Sequence, residues 1–385
     1  MKILMLLERD FPPDLRVENE IKSLIKAGHS VVLACYSLKT DTSEYNWEGC
    51  KIYKKNISKF IYKSSIGILK FPFYFHFWRK HVERIIKIEK PNAIHIHDLP
   101  LAKIGAEFKK KYNLRFVLDL HENWPAYLNV SEHTKGFLGR LLSSEEQWNN
   151  YEKKMINAAD YVITVVDEAK DRLLKLENKS QIVVVSNYPD MNDFDEIILK
   201  QKEDNKLILF YGGGINKHRG LQYVIQALPA IIKSFQDIEL WIFGDGSYKP
   251  ELEILSKDLN IEPYVKFFGN RPYTEMIQYL SMADVTLIPH FKSEHTDSTI
   301  PHKLFQYMYM GKFIMSSNCI PIIRIIEETN AGIIYTFDSP ADFSKKFLQY
   351  VNGEIKFNKD EIRNFIKQKY NWEIESKKLL EIYNS

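Results

Sequence analysis

The sequence predicts an α/β protein of two domains, each built on a parallel sheet, and three observations carry that expectation. The chain has 385 residues, more than one ordinary core holds. Short runs rich in Val, Ile and Leu alternate with segments of helical periodicity, the pattern of strand and crossover helix. The alternation pauses at one polar stretch near the middle and then starts again.

In the first half, Ile3–Leu7, Ser30–Ala34, Ala93–Ile96 and Phe116–Leu120 have the length and composition of strands buried on both faces. Arg16–Ala27 reads as a helix stopped by Gly28-His29, since glycine tolerates the left-handed cap. A helix at Glu145–Ala158 and strands at Tyr161–Val166 and Ile182–Val185 complete this half. The polar, acidic text from Asn187 to Asn205 reads as a connection between domains. The second half then offers strands Leu207–Tyr211, Glu239–Phe243, Val265–Phe268, Val285–Pro289 and Phe313–Ser316. Helices Leu221–Phe235, Lys249–Leu259, Tyr273–Met282 and His302–Met310 lie between them, and Asp360–Tyr383 is a final amphipathic helix. The expected division is a first domain over 1–188, a linker over 189–205, a second domain over 206–360 and a C-terminal helix over 361–385. A return of that helix to the first domain is one option, because periodicity does not give its destination.

Composition narrows the function classes. Hydrophobic residues make up 45% and charged residues 27%, and no run reaches the roughly 18 apolar residues a spanning helix needs. Glu8, Arg9 and Asp10 follow the first apolar run at once, so it reads as a buried strand and not a leader. Cys35, Cys50 and Cys319 lack paired spacing, which fits a reducing cytoplasm. A net charge of +3 does not argue for nucleic acid. Neither half carries G-x-G-x-x-G after a strand, and Gly311-Lys312 is followed by Phe313, so dinucleotide and phosphate-loop sites are not expected. Asp193 and Asp195 form the single Asp-x-Asp pair, read as solvated linker carboxylates. No metal and no cofactor are expected.

Two loops of the second half suit an anion. Strand Leu207–Tyr211 runs into Gly212-Gly213-Gly214, then Asn216, Lys217, His218, Arg219 and Gly220 before a helix. Small residues let backbone N–H groups approach a phosphate, and Arg219 has the geometry to clamp two of its oxygens. In the second loop Ser298, Thr299 and Pro301 precede a helix opening with His302 and Lys303, where hydroxyls, N–H groups and an ammonium favour an anionic group. Both follow strand ends, where open α/β sheets bind ligands. In the first half, His121 and Glu122 end one strand, Asp98 ends another, and Asp14 and Arg16 open the first helix. They are expected to line the acceptor side of a cleft across which the two sheets face each other.

Together these features resemble the retaining GT-B glycosyltransferases of family 4, whose two domains are Rossmann-like. The resemblance rests on Pro12-Pro13-Asp14-x-Arg16, HIHDLPLA, DLHENWP, FYGGGINKHRGL, ELWIFGDGSY, VKFFGNRPYTEM and PHKLFQYMYMGKFIMSSN, in that order over nearly the whole chain. It implies a metal-independent, retaining transfer of a sugar from a nucleotide-diphosphate donor to a glycan or lipid-linked acceptor, in bacterial surface polysaccharide synthesis at the inner face of the membrane. By the resemblance Arg219 and Lys303 hold the diphosphate, Gly244, Asp245 and Gly246 lie near the nucleotide, and Asn270, Arg271 and Pro272 border the base. His121 contacts the transferred sugar. The family's two Glu in the loop-helix segment become Ser298 and Gln306 here, and its Arg after the phosphate-loop strand becomes Gly214. Two alternatives stand beside this reading: a sugar-nucleotide 2-epimerase using Glu122, and a nucleotide-sugar-binding subunit without turnover.

One segment is left over. Lys51–Lys90 holds Lys51, Lys54, Lys55, Lys59, Lys63, Lys70, Arg79, Lys80, Arg84, Lys87 and Lys90 against Glu83 and Glu89, interleaved with Phe60, Tyr62, Phe71, Phe73, Tyr74, Phe75, Phe77 and Trp78. It reads either as a core helix with solvated lysines or as a surface resting on an anionic membrane.

Overall fold

The structure, a computed structural model, describes residues 1–39, 42–130, 142–176, 180–190, 199–200, 202 and 205–384. The chain divides into two units, Met1–Asn187 with Glu373–Ser385, and Tyr188–Trp372. The Asp193 and Asp195 pair lies outside the described residues, as does much of the stretch read as a linker.

The first unit runs β1 (Lys2–Leu6), α1 (Leu15–Lys26), β2 (Ser30–Ser37), β3 (Ser43–Trp47), β4 (Cys50–Asn56), α2 (Lys59–Lys63), α3 (Phe73–Glu89), β5 (Ala93–His97), α4 (Ala102–Tyr112), β6 (Arg115–Leu120), α5 (Trp124–Val130), α6 (Glu145–Ile156), β7 (Tyr161–Thr164), α7 (Asp167–Leu174) and β8 (Gln181–Val184). Its sheet has the order β3-β4-β2-β1-β5-β6-β7-β8. All neighbours are parallel except the antiparallel β3–β4 pair. That hairpin was not legible as strands because its text, SEYNW and CKIYKKN, alternates for a half-solvated edge. Its turn is Glu48-Gly49, both at positive φ as a two-residue hairpin turn requires.

The second unit runs β9 (Leu207–Gly212), α8 (Leu221–Ser234), β10 (Ile238–Phe243), α9 (Lys249–Asp258), β11 (Val265–Gly269), α10 (Tyr273–Met282), β12 (Val285–Ile288), α11 (His302–Tyr309), β13 (Phe313–Ser317), α12 (Ile320–Thr329), β14 (Gly332–Tyr335), α13 (Pro340–Val351) and α14 (Lys359–Lys369). Its sheet, β11-β10-β9-β12-β13-β14, is parallel throughout. The α/β class with two parallel-sheet domains is therefore the one the alternation predicts.

The last expected helix is two helices, α14 and α15 (Trp372–Asn384). The break has a local cause: the Asn371 amide donates to the carbonyls of Ile366 and Lys367, ending α14, and Tyr370 is buried with its hydroxyl on Glu328. The second helix belongs to the first unit, where Arg115 donates to Ile382 O (2.6 Å) and Ser186 N–H to Glu375 (2.7 Å).

The basic aromatic segment divides between both of its readings. Tyr74, Phe75, Phe77 and Trp78 of α3 are buried in the first core, each fully buried ring contributing about 1.5–3 kcal/mol. Phe60, Tyr62, Phe71 and Phe73 are exposed. Its cations are also less lonely than the local sequence suggests, because Lys54 pairs with Asp10 (2.5 Å), Arg79 with Glu107 (2.6 Å) and Arg84 with Glu44, all distant in sequence. Among the described residues no helix is long and apolar enough to cross a membrane.

Candidate functional site

In the second domain the loops after β9, β10, β11 and β12 are stitched together by backbone. Gly213 N–H donates to Phe243 O (2.9 Å), Ile215 N–H to Asp245 O (2.9 Å), Gly244 N–H to Gly269 O (2.9 Å) and Phe291 N–H to His218 O (2.9 Å). Gly244 is required by this closeness, and Gly213 by its backbone angle. A Cβ at Gly244 (φ +119°) would lie 2.1 Å from Gly213 O, and one at Gly213 (φ +145°) would lie 2.6 Å from Lys303 Nζ. The same bonds correct one expectation: the N–H groups of Gly213 and Ile215 are already engaged and do not face a ligand.

What remains is a pair of cations with unusual partners. Arg219 Nη1 lies 3.2 Å from His290 Nε2, and His290 is buried. Burial, together with the charges of Arg219 and Lys303, holds the His290 pKa well below the usual imidazole range, so it is neutral and accepts from the guanidinium. Lys303, in the first turn of α11, sets its ammonium 4.1 Å from the centre of the Tyr211 ring. Burial and then the charge of Arg219 push the Lys303 pKa well below its ordinary value. Among the described residues neither cation is paired with a carboxylate. The hydroxyl of Tyr211 donates to Gly214 O (2.8 Å), and Gly212 N–H donates to the hydroxyl of Tyr307 (3.2 Å), so two tyrosines brace the glycine loop.

The other expected donor residues are placed less simply. Ser298 and Thr299 do not cap α11: their hydroxyls donate to Glu294 O and to His295 O (3.2 Å), because a tight turn at residues 296–298 brings those carbonyls close. α11 instead starts at Pro301 without a side-chain cap, with His302 half-buried in its first turn. Gln306 is buried, and its amide donates to the Tyr273 hydroxyl (3.2 Å). Asp245 is exposed and accepts from Gly246 N–H (2.8 Å). Asn270, Arg271 and Pro272 are exposed at the start of α10, and Arg271 folds back onto Phe268 O (3.1 Å) and towards Glu275 (3.6 Å).

The first domain gathers a different cluster. His95 and His97 of β5, Asp119 of β6 and Arg16 and Glu20 of α1 are all buried, with His121 just beyond β6. Arg16 grips Asp119 with two nitrogens (2.9 and 2.8 Å), donates to Val185 O (2.9 Å) and Asn187 Oδ1 (2.6 Å), and lies 3.1 Å from Glu20. This corrects the expectation that Arg16 contacts an acceptor, since its donors are engaged inside the domain. Asp14 is corrected likewise: it caps α1 through Val17 N–H (3.2 Å) and pairs with Arg9 (3.3 Å), as an Asp before a helix does.

His121 keeps an accessible edge, its side chain 13% exposed. Its Nε2 is 2.7 Å from Asp119 Oδ2, its Nδ1 is 3.7 Å from Asp98 Oδ2, and its backbone N–H donates to Asp98 Oδ1 (3.2 Å). Burial opposes its charge, but the two carboxylates raise its pKa to about 9, so it is an imidazolium. Burial opposes charge on Asp119 too, yet Arg16 and His121 hold it well below the usual carboxylate range. Burial and the Asp119 charge lift Glu20 to about 8, while burial and His95 push His97 down to about 3. Ligating atoms of Glu20, His95, His97 and Asp119 lie within 4.8 Å of one another, a spacing that suits a cation. Arg16 already brings one there. Glu122 is half-buried beside His121.

Sequence reasoning missed His290, Tyr211, Tyr307 and Tyr273 in one domain and His95, His97, Asp119, Glu20 and Tyr383 in the other, where Tyr383 Oη lies 2.7 Å from His95 Nδ1. A signal was available for part of this. His95, His97 and Asp119 interrupt runs that otherwise read as strands buried on both faces, and ionisable residues there must find partners.

Residues 191–372 match the family model described as Glycosyl transferases group 1, and residues 16–192 match Glycosyltransferase Family 4. An uncharacterized glycosyltransferase of Methanocaldococcus jannaschii is 23% identical over 100% of this chain and 98% of its own length. Two further relatives match over 60% and 47% of their own lengths. Sucrose-phosphate synthase from Thermosynechococcus elongatus has the same fold, with a TM-score of 0.80 at 14% identity over 100% of this chain and 98% of that one. So does Anabaena HepE in complex with UDP and glucose, with a TM-score of 0.73 at 14% identity over 100% and 99%. These matches do not favour the epimerase alternative.

Proposed function

We propose that this chain, whose two halves match the Family 4 and group 1 glycosyltransferase models and which has the GT-B fold, moves a sugar from a nucleoside-diphosphate donor to a glycan or lipid-linked acceptor, with retention and without a metal. The observation that carries this reading is the Arg219–Lys303 pair, two cations at strand ends with a neutral histidine and an aromatic ring for company and no carboxylate among the described residues. A diphosphate supplies the missing negative charge. As the bond from the anomeric carbon to phosphate oxygen breaks, charge accumulates on the departing diphosphate, and these cations stabilise it there. The leaving oxygen takes the proton of the acceptor hydroxyl while that hydroxyl bonds to the anomeric carbon on the same face.

The remaining roles follow from chemistry. Gln306 offers its amide oxygen to a ribose hydroxyl, with its nitrogen engaged by Tyr273. Gly244, Asp245 and Gly246 approach the nucleotide, and Asn270, Arg271 and Pro272 border its base. The imidazolium of His121 donates from Nδ1 to a sugar or acceptor hydroxyl. The setting is bacterial surface glycan synthesis in the cytoplasm, with the exposed aromatic residues of the first domain against an anionic inner membrane face. Incubation with UDP, GDP and ADP sugars, followed by NMR of the product anomer, tests this. A transferred sugar with inverted configuration, activity restored by magnesium after EDTA, or donor binding without any transfer each contradicts it.

A further inference from the structure

Between α4 and α6 of the first domain runs an open slot of about 570 Å3, in the size range of small-ligand sites. Its floor is apolar, made by Leu69, Phe75, Tyr151 and Met155. Its rim is basic. Lys103, Lys110 and Lys154 stand around it, and among the described residues none of the three is ion-paired, Lys103 lying 5.0 Å from the centre of the Phe75 ring. The slot's carboxylate, Glu107, does not neutralise them, because Arg79 holds both of its oxygens (2.6 and 2.7 Å).

The slot's floor shares a stretch of chain with a second surface. Leu69 and Phe75 of its floor belong to the stretch that exposes Phe71 and Phe73, which are 44% and 48% accessible. Phe73 stacks near Phe71 (6.3 Å) and meets Phe60 edge-on (5.6 Å), and Phe60 is 68% accessible. Three neighbouring aromatic rings turned to solvent are costly unless something apolar covers them. Lys59 and Lys63 flank them on α2.

We propose that this slot binds an anionic phospholipid of a membrane, with the headgroup phosphate among Lys103, Lys110 and Lys154, an acyl chain along Leu69, Phe75 and Met155, and the Phe60–Phe73 ridge in the interface. An apolar floor beneath a cationic rim selects an amphiphile. A small inorganic anion leaves the floor wet, and a nucleic acid has no apolar chain to lay on it. The inference rests on the reading that the acceptor is membrane-borne and makes the slot the anchor beside it.

The test is co-sedimentation of the full chain with phosphatidylcholine vesicles, with and without phosphatidylglycerol. The wild type should pellet only with phosphatidylglycerol and be released by salt. Lys103→Gln, Lys110→Gln and Lys154→Gln together should weaken partition about tenfold or more, taking each basic residue as a separate surface contribution. Leu69→Asn, which changes no charge, should also weaken it, as general electrostatic attraction does not require. Binding of whichever nucleoside diphosphate the wild type takes up among UDP, GDP and ADP, read separately, should be unchanged in both variants and shows that they fold. If the slot variants pellet like wild type while Phe60→Ser with Phe73→Ser does not, the slot is overturned and the membrane reading stands. If the wild type stays in the supernatant with phosphatidylglycerol, both fall. Equal protection of the slot by inorganic phosphate and by a short-chain phosphatidylglycerol overturns the lipid in favour of a free anion.

Discussion

Each domain sets a group of cations near the C-terminal ends of its strands, and the two groups are wired in opposite ways. Arg16 of the first domain is held by four hydrogen bonds within its own domain, two to Asp119, one to a carbonyl and one to Asn187, with Glu20 close by. Arg219 of the second leans on a neutral histidine, and Lys303 on a ring, with no carboxylate among the described residues. A charge balanced by its own protein holds structure, whereas one left unbalanced beside a glycine loop is available to a ligand. Burial alone does not make the distinction. The partner does.

The largest test of that contrast is a matched pair of truncations. Arg16→Ala leaves Asp119 buried without its guanidinium, and thermal or urea unfolding should show a loss of about 3–5 kcal/mol. Arg219→Ala should change stability by about 1 kcal/mol or less. Donor turnover should nevertheless fall about a hundredfold or more, the scale for removing one group that stabilises transition-state charge. Equal destabilisation by the two would erase the contrast.

Titration sharpens it next. His121 and Glu20 have folded pKa values of about 9 and about 8, above their ordinary 6.5 and 4.5. The folded first domain therefore holds protons that the unfolded chain releases. The stabilisation from His121 is complete below pH 6.5 and lost as pH rises through about 9, and Glu20 changes in the same direction between 4.5 and about 8. Lys303 and Lys312, depressed in the folded state, work the other way over part of that window, so the comparison is between variants: the melting temperature of the wild type should lose more between pH 6.5 and 9 than that of His121→Gln. Lys303 makes the opposite statement about a ligand. Its pKa is depressed in the empty site, and a diphosphate should raise it, so donor binding should take up a proton at a pH above that depressed value and below the ordinary lysine value. Calorimetry in buffers of different ionisation heat reads this directly, and a heat independent of buffer would contradict it.

The smallest effect is expected at Gln306. Gln306→Glu should convert a neutral ribose contact into a charge-assisted one and tighten nucleotide binding by about 1 kcal/mol, with the Tyr273 hydroxyl turning to donate to the carboxylate. Weaker binding by calorimetry would place the ribose elsewhere.

The sheets were legible because strands buried on both faces are written as unbroken apolar runs, and Leu207–Gly212 and Phe313–Ser317 differ from expectation by one residue at an end. The β3–β4 edge was not, since a half-solvated hairpin dilutes that signal. At the site, Arg219 and Lys303 stood out as cations beside glycines and a helix start. Their partners did not. Tyr211 read as an ordinary strand residue and His290 lay just past a strand's end, and their importance comes from distances between loops that no local spacing encodes. Ser298 shows the converse: it was expected to donate to an anionic group, and a turn closing on Glu294 took the hydroxyl first. Arg16 shows it again, because its partners Asp119 and Asn187 lie more than a hundred residues away.

The central claim is that Arg219 and Lys303 form the diphosphate site, and paired titrations of UDP and uridine against wild type and Arg219→Gln test it most directly, with GDP and ADP and their nucleosides run in parallel to allow for the base. The account predicts that the wild type binds one diphosphate far more tightly than its nucleoside, and that Arg219→Gln, still folded by its melting temperature, loses most of that difference while binding the nucleoside as before. A variant that keeps the full preference for the diphosphate would contradict it.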